Sequence, residues 1–184
     1  MQTIYETNRL ILRILSPNWF EEVYHFLNNN KELFDPFEPE KPDDFYSKNF
    51  QKLLLAQEYK SFKNNLFMRF YAFSKEEPNK IIGSISFGNI HGDPFYSCIL
   101  GYKFDQNYHG KGYALEAVSA CVSIVLEYLN LHRITAYIMP SNTASIKLIE
   151  KLNFLYEGTS LRLVNIGGNW EDHLKYTYIN YLLE

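Results

Sequence analysis

The chain has 184 residues, 46% apolar and 21% charged, with a formal net charge of −3. This makeup suits a soluble globular chain with a sizeable core, and the missing basic surplus speaks against direct binding of nucleic acid. Cys98 and Cys121 lack ligand spacing and are expected as buried free thiols of a reducing cytoplasm. No apolar run precedes Arg9 and none reaches the roughly 18 residues of a membrane span, so neither secretion nor a membrane partner is expected.

Leu10, Ile11, Leu12, Ile14 and Leu15 form a β-type run with Arg9 and Arg13 interposed, stopped at Ser16-Pro17. Pro17 with Glu21 and Glu22 opens a helix that carries Trp19, Phe20, Val23, Phe26 and Leu27 roughly on one face and ends at Asn28-Asn29-Asn30. Pro36, Pro39 and Pro42 break 31–44 into a loop, where Phe34 and Phe37 either recognise a substrate or pack on the core. A helix over 45–63 follows, then strands over 66–74, 80–90 and 95–104 joined by the turns Glu76-Glu77-Pro78-Asn79 and His91-Gly92-Asp93-Pro94. A long helix over 113–130, a strand over 133–139, a helix over 142–152 and strands over 154–164 and 170–182, joined across Gly167-Gly168, complete the chain. The expected architecture is α/β (α+β), one domain over 1–184 with a mixed, mostly antiparallel sheet of six to seven strands flanked by helices.

Between the strand ending at Phe104 and the helix starting at Tyr113 lies Gly110-Lys111-Gly112. Glycines at a strand-to-helix junction permit a sharp turn and close approach of a ligand, and the helix start offers free N–H groups and a positive dipole end, a combination that suits a phosphate. The P-loop pattern fails because Tyr113-Ala114 follows Gly112 where Lys-Ser/Thr is required, and the dinucleotide fingerprint fails at Leu115.

Asn107-Tyr108-His109-Gly110-Lys111-Gly112 resembles the [Q/R]-x-x-G-x-[G/A] motif of the GNAT acetyltransferases, with Asn107 in the first position and Gln106 one residue off. ETNRLILRIL, GYKFDQNYHGKGYALEA, LHRITAYIMPSNTASIKLIEKLNF and GGNWEDHLKYTYI are together similar to the ribosomal-protein N-acetyltransferase (RimJ/RimL-like) branch of that superfamily, in order along nearly the whole chain.

The resemblance implies the GNAT fold, splayed between its fourth and fifth strands, with acetyl-CoA as donor and no metal. Pantetheine would then pair with the main chain of Lys103 and Phe104, a backbone N–H near Tyr102 or Lys103 would face the thioester oxygen, and the pyrophosphate would meet N–H groups from Tyr108 through Tyr113, which names His109, Gly110, Lys111, Gly112 and Tyr113 as cofactor-binding. Ile149 stands where the broad superfamily has a proton-donating tyrosine. Ser145 matches the serine that the ribosomal-protein branch places near the sulfur and is expected to protonate the leaving thiolate, with Asn142 touching CoA through its amide. Glu116 matches a glutamate of that branch and is the candidate base, its competing role being a helix-dipole contact that tethers the turn. His91 and His109 titrate in a usable range, His132 looks structural, and Tyr137, Glu157 and Asp172 are candidates to line the acceptor groove. The acceptor is expected to be a primary amine. A protein N-terminus, with an α-amino pKa near about 8, needs less help to deprotonate than a lysine. Small amines such as a polyamine, amino acid or antibiotic, or a CoA-binding module without catalysis, are the alternatives. Trp170 and Tyr178, expected exposed on the last strands, offer a face for a homodimer.

Overall fold

The chain opens with β1 (Ile4–Glu6) and β2 (Leu10–Arg13), followed by α1 (Phe20–Asn29), α2 (Lys31–Phe34) and α3 (Lys48–Lys63). Then come β3 (Met68–Ser74), β4 (Ile81–His91), β5 (Ser97–Phe104), α4 (Tyr113–Leu129), β6 (Arg133–Ile138), α5 (Thr143–Lys151), β7 (Leu155–Ile166) and β8 (Asn169–Ile179). A computed structural model describes residues 1–183 and joins the strands in an eight-stranded sheet of order β1-β2-β3-β4-β5-β6-β8-β7. All pairings are antiparallel except β5 with β6.

The sheet exceeds the expected strand number because Ile4–Glu6 adds an edge strand, antiparallel to β2. Its three residues alternate between exposed and half-buried, a pattern too short to announce a strand. The expected loop at 31–44 instead begins with α2 and a 3₁₀ turn at Asp35–Phe37. Pro36 fits because it sits at the start of that turn, where an N–H has no internal partner to lose.

Period-two alternation gives the sheet two different coats. Met68, Phe70, Ala72, Cys98, Leu100, Phe104, Ile134, Ala136, Ile138 and Tyr176 pack together with Ala117, Val118, Cys121 and Val125 of α4 and Ile149 of α5. On the other face Tyr71 and Phe73 meet Val23, Phe26 and Leu27 of α1 and Leu55 of α3. Tyr178 corrects an expectation: it packs against the first cluster and meets Phe154 at a ring distance of 5.5 Å. Trp170 is 62% exposed. Among the described residues no helix is long and apolar enough to cross a membrane.

The feature that positions the site is a broken pairing. β5 pairs with β4 along its length, from Gly83↔Phe104 to His91↔Ser97. Its parallel pairing with β6 covers only Ser97↔Arg133, Cys98↔Ile134 and Ile99↔Thr135. Beyond that point the strands part, as expected of the fourth and fifth strands of the first reading, and leave a wedge-shaped gap.

Candidate active site

The gap holds a cavity of about 780 Å³ that takes in the glycine turn, the first turns of α4 and α5, and the segment around α2. Alternation decides which β5 groups serve it. The N–H of Asp105 donates to the Ile82 carbonyl of β4 at 2.9 Å, so the main chain of Lys103, two residues earlier, also turns to β4. The intervening N–H and C=O groups of Tyr102 and Phe104 turn to the gap. The Phe104 carbonyl lies 2.9 Å from His109 Nε2, which must therefore carry the proton. This corrects one expectation. Tyr102 and Phe104, rather than Lys103 and Phe104, present their main chain to a ligand in the gap. Lys103 contributes a side chain, on the opposite face of the sheet.

The glycine turn is built locally and clamped from afar. Asp105, buried, accepts from the Asn107 N–H at 2.9 Å and from Asn107 Nδ2 at 2.8 Å, so Asn107 shapes the turn. Gly110 and Gly112 have φ of 72° and 80°, which side chains disfavour. Gly112 is the N-cap of α4 without a side-chain cap, and its carbonyl takes the Glu116 N–H at 3.1 Å. The N–H groups of Tyr113, Ala114 and Leu115 precede the first intrahelical bond, at the positive end of a 17-residue helix. His109, Gly110 and Gly112 line the cavity, while the Lys111 ammonium stands 5.5 Å over the Tyr108 ring.

Arg9, at the entrance to β2, holds this turn. Its Nε donates to Glu116 Oε2 at 2.7 Å, its Nη1 to the Lys111 carbonyl at 2.9 Å, and its guanidinium lies 4.5 Å over the Tyr113 ring. Glu116 Oε1 accepts from the Thr7 hydroxyl at 2.6 Å and the Arg9 N–H at 2.8 Å. Burial works against the Glu116 charge, but these hydrogen bonds and the Arg9 cation outweigh it and hold the carboxyl below its ordinary range. Both oxygens are engaged and the side chain does not line the cavity, so the candidate base is replaced by a tether.

Across the gap, Asn142 caps α5 by accepting the Ser145 N–H at 3.1 Å, which leaves only its Nδ2 for donation to a ligand. Ser145 is half-buried and lines the cavity. The Tyr102 hydroxyl donates to the Ser145 carbonyl at 3.0 Å, bridging β5 to α5; burial pushes that hydroxyl well above the ordinary tyrosine range and keeps it protonated. Ile149 is fully buried in the core, so the position of the usual tyrosine has no access to a ligand.

On the opposite face Phe34, Phe37, Glu38, Lys103, Tyr137 and His173 line the same cavity. Phe34 is buried and Phe37 partly exposed, so one anchors the segment and the other remains available. Lys103 Nζ meets Glu38 Oε1 at 2.5 Å, and the other Glu38 oxygen meets Lys41 at 2.8 Å. Lys41 also contacts Asp35 and Tyr46. Burial, with the Arg69 and Lys41 cations nearby, holds the Lys103 pKa below its ordinary value against the pull of Glu38; burial raises that of Glu38, but Lys103 and Lys41 bring it below the ordinary value. Glu157 is tied to Arg133 at 2.9 Å and Lys175 at 3.0 Å, outside the cavity. Asp172 accepts the Arg162 N–H at 2.8 Å and borders a separate depression beside Trp170. His91 is exposed beside Phe95, and the His132 N–H donates to Tyr96. Of Tyr137, Glu157 and Asp172 only Tyr137 lines the cavity, joined by Phe34 and Phe37 of the expected recognition segment; the parts played by Arg9, Glu38 and His173 were missed.

Cys98 and Cys121 are free and buried, and burial pushes the Cys98 thiol up to about 12 and Cys121 well above its ordinary value. Among the described residues no group of His, Cys, Asp and Glu could hold a metal ion.

Comparison with known proteins agrees with this geometry. The family model of the acetyltransferase (GNAT) domain matches residues 9–155. The [ribosomal protein uS5]-alanine N-acetyltransferase of Escherichia coli (strain K12) is 30% identical over 170 residues, covering 91% of this chain and 86% of that protein. The crystal structure of ribosomal-protein-S5-alanine acetyltransferase from Vibrio fischeri superposes with a TM-score of 0.93 at 31% identity over 100% of both chains. A ribosomal L7/L12 α-N-protein acetyltransferase, RimL, in complex with coenzyme A shares the fold at a TM-score of 0.87 and 18% identity, over 96% of this chain and 97% of that one. The wedge between β5 and β6, the glycine turn that closes on α4 and these similarities together assign the chain to the GNAT N-acetyltransferase family, acetyl-CoA being its donor.

Proposed function

We propose that this chain acts as a single domain, in the cytoplasm, to transfer acetyl from acetyl-CoA to the α-amino group of a protein N-terminus of the ribosomal-protein kind. The observation that carries the reading is the gap between β5 and β6, which opens to the glycine turn on one face and to an aromatic, charge-lined groove on the other. The relatives at 30% and 31% identity, which are named for acetylating an alanine of ribosomal protein S5, support the acceptor class.

On the donor side, the N–H groups of Tyr113, Ala114 and Leu115, with His109, Gly110 and Gly112, suit the pyrophosphate, and Lys111 adds positive charge at the edge. The main-chain groups of Tyr102 and Phe104 pair with pantetheine as a strand would. A gap-side N–H of β5 polarises the thioester carbonyl as its oxygen gains charge. Asn142 donates from Nδ2, and the Ser145 hydroxyl protonates the departing thiolate. Glu116 and Arg9 hold the turn in shape. On the acceptor side the chain N-terminus enters past Phe37 and Phe34 toward the gap, where proximity to the thioester supplies much of the rate.

The test is thiol release from acetyl-CoA with alanine- and serine-initiated peptides against spermidine, free amino acids and an aminoglycoside. Turnover confined to peptides is the expected result. Turnover confined to small amines overturns the acceptor, and binding of acetyl-CoA with no turnover on any amine overturns the enzyme reading.

A further inference from the structure

His173 is a buried imidazole, 5% exposed, that lines the cavity and has no part in the mechanism above. On β8, Leu174, Tyr176 and Tyr178 pack toward α4 and α5, so alternation turns His173, Lys175 and Thr177 to the opposite face. The Thr177 hydroxyl lies 3.4 Å from that of Thr135, which puts Thr135 and hence Tyr137 of β6 on that face too. This is the face of Lys103 and Glu38, where the acceptor enters. His173 Nδ1 lies 3.1 Å from the Glu171 carbonyl, and a carbonyl only accepts, so Nδ1 holds the proton and Nε2 carries the lone pair of the neutral ring.

The other carboxylates and imidazoles near the cavity are committed elsewhere. Glu116 is bound by Arg9 and Thr7, Glu38 by Lys103 and Lys41, and His109 Nε2 donates to Phe104. Resting on the acetyltransferase reading, we propose that His173 Nε2 is the base that takes the proton from the acceptor amine. Nε2 takes one proton from the acceptor ammonium and frees the nitrogen lone pair, which forms the N–C bond at the thioester carbonyl. The C–S bond breaks with its electron pair going to sulfur, and the adduct's surplus N–H proton leaves to solvent. The thiolate takes a proton from Ser145, which is reprotonated from solvent while the imidazolium returns its proton to solvent. The charged and titratable groups facing His173 are Glu171 and Lys175 along β8, Tyr137 and the Arg133–Glu157 pair beside Lys175, and Lys103 with Glu38 across the cavity.

The experiment compares wild type, His173→Asn, which keeps a donor for the Glu171 carbonyl, and His173→Gly. Each is assayed with an alanine-initiated peptide and with the same peptide carrying an aminooxy group in place of its α-amine, a nucleophile already unprotonated at neutral pH. A base of this kind contributes about 10²- to 10⁴-fold. The expected result is a loss of that order in kcat/KM for the α-amine, a loss under about 10-fold for the aminooxy peptide, and recovery of His173→Gly by added imidazole, with acetyl-CoA affinity by calorimetry unchanged in His173→Asn. Equal losses on both acceptors without imidazole rescue, or no loss at all, overturn the base and leave the acetyltransferase reading standing. A wild type that acetylates neither acceptor while a small amine is turned over, or no amine at all, overturns that reading and the base with it.

Discussion

Replacing Arg9 with Met keeps the aliphatic stem and removes the guanidinium that clasps the glycine turn. Lost are the ion pair to Glu116 at 2.7 Å, the hydrogen bond to the Lys111 carbonyl at 2.9 Å and the contact over Tyr113 at 4.5 Å. The Arg9 side chain is 43% exposed, so screening limits the ion pair to about 0.5 kcal/mol. The hydrogen bond adds about 1 kcal/mol and the ring contact about 0.5 kcal/mol. If the whole clasp, about 2 kcal/mol, goes into presenting the α4 N–H groups, its loss raises the Kd for acetyl-CoA by about 30-fold, and by about 5-fold if only half of it does. Calorimetric titration of the variant and wild type, beside thermal unfolding, measures both effects. An unchanged Kd with a lowered Tm refutes the reasoning, because the glycines alone would then set the turn. A loss beyond about 100-fold exceeds the clasp and would put Arg9 in direct contact with the ligand. The Tm difference also carries a pH signature. Glu116 has its folded pKa depressed below 4.5, so its stabilisation is complete above that value and disappears as pH falls through the depressed one. The gap in Tm between variant and wild type is therefore full at neutral pH and narrows in acid by the ion pair's share, the Lys111 bond and the ring contact remaining.

Gly112→Ala forces a side chain into φ 80° and sets Cβ 3.3 Å from Arg9 Nη2, so acetyl-CoA binding weakens by about 5- to 30-fold at a strain of about 1–2 kcal/mol. Gly110→Ala meets nothing within 4 Å and carries the backbone strain alone, and a smaller loss in the same titration separates the two. Cys98 and Cys121, buried and held as thiols, resist a disulfide reagent at pH 8 in the folded protein and react in urea. Rapid labelling of the native chain would show that the core opens under native conditions.

The strands and helices that carry long apolar periodicity were legible in the sequence, as was the glycine turn, because each is encoded by near neighbours. Ile4–Glu6 was not, since an edge strand of that length takes its conformation from β2 rather than from its own pattern. The role of Glu116 was open for a related reason. A carboxylate in a first helical turn reads alike as base or tether until its partner is known, and Arg9 stands 107 residues earlier in the chain. Lys103 was placed on the ligand by the family resemblance, yet the alternation of β5, fixed by the Asp105 bond to Ile82, hands that main-chain role to Tyr102. His173 sits in a segment whose strand character was clear. Whether it faces solvent or a cavity depends on where β5 leaves β6, which no local signal reports.

That parting of β5 and β6 also bears on how two substrates can share one site. A window through a sheet can be approached from both sides at once, so donor and acceptor need not take turns in a shared doorway. With donor and acceptor entering as proposed, each has its own threshold, and direct transfer between two simultaneously held guests is the expected course rather than an acetyl group parked on the protein. Steady-state rates measured against both substrates would accordingly give intersecting reciprocal lines, the mark of a ternary complex, with no half-reaction exchanging label between acetyl-CoA and free CoA.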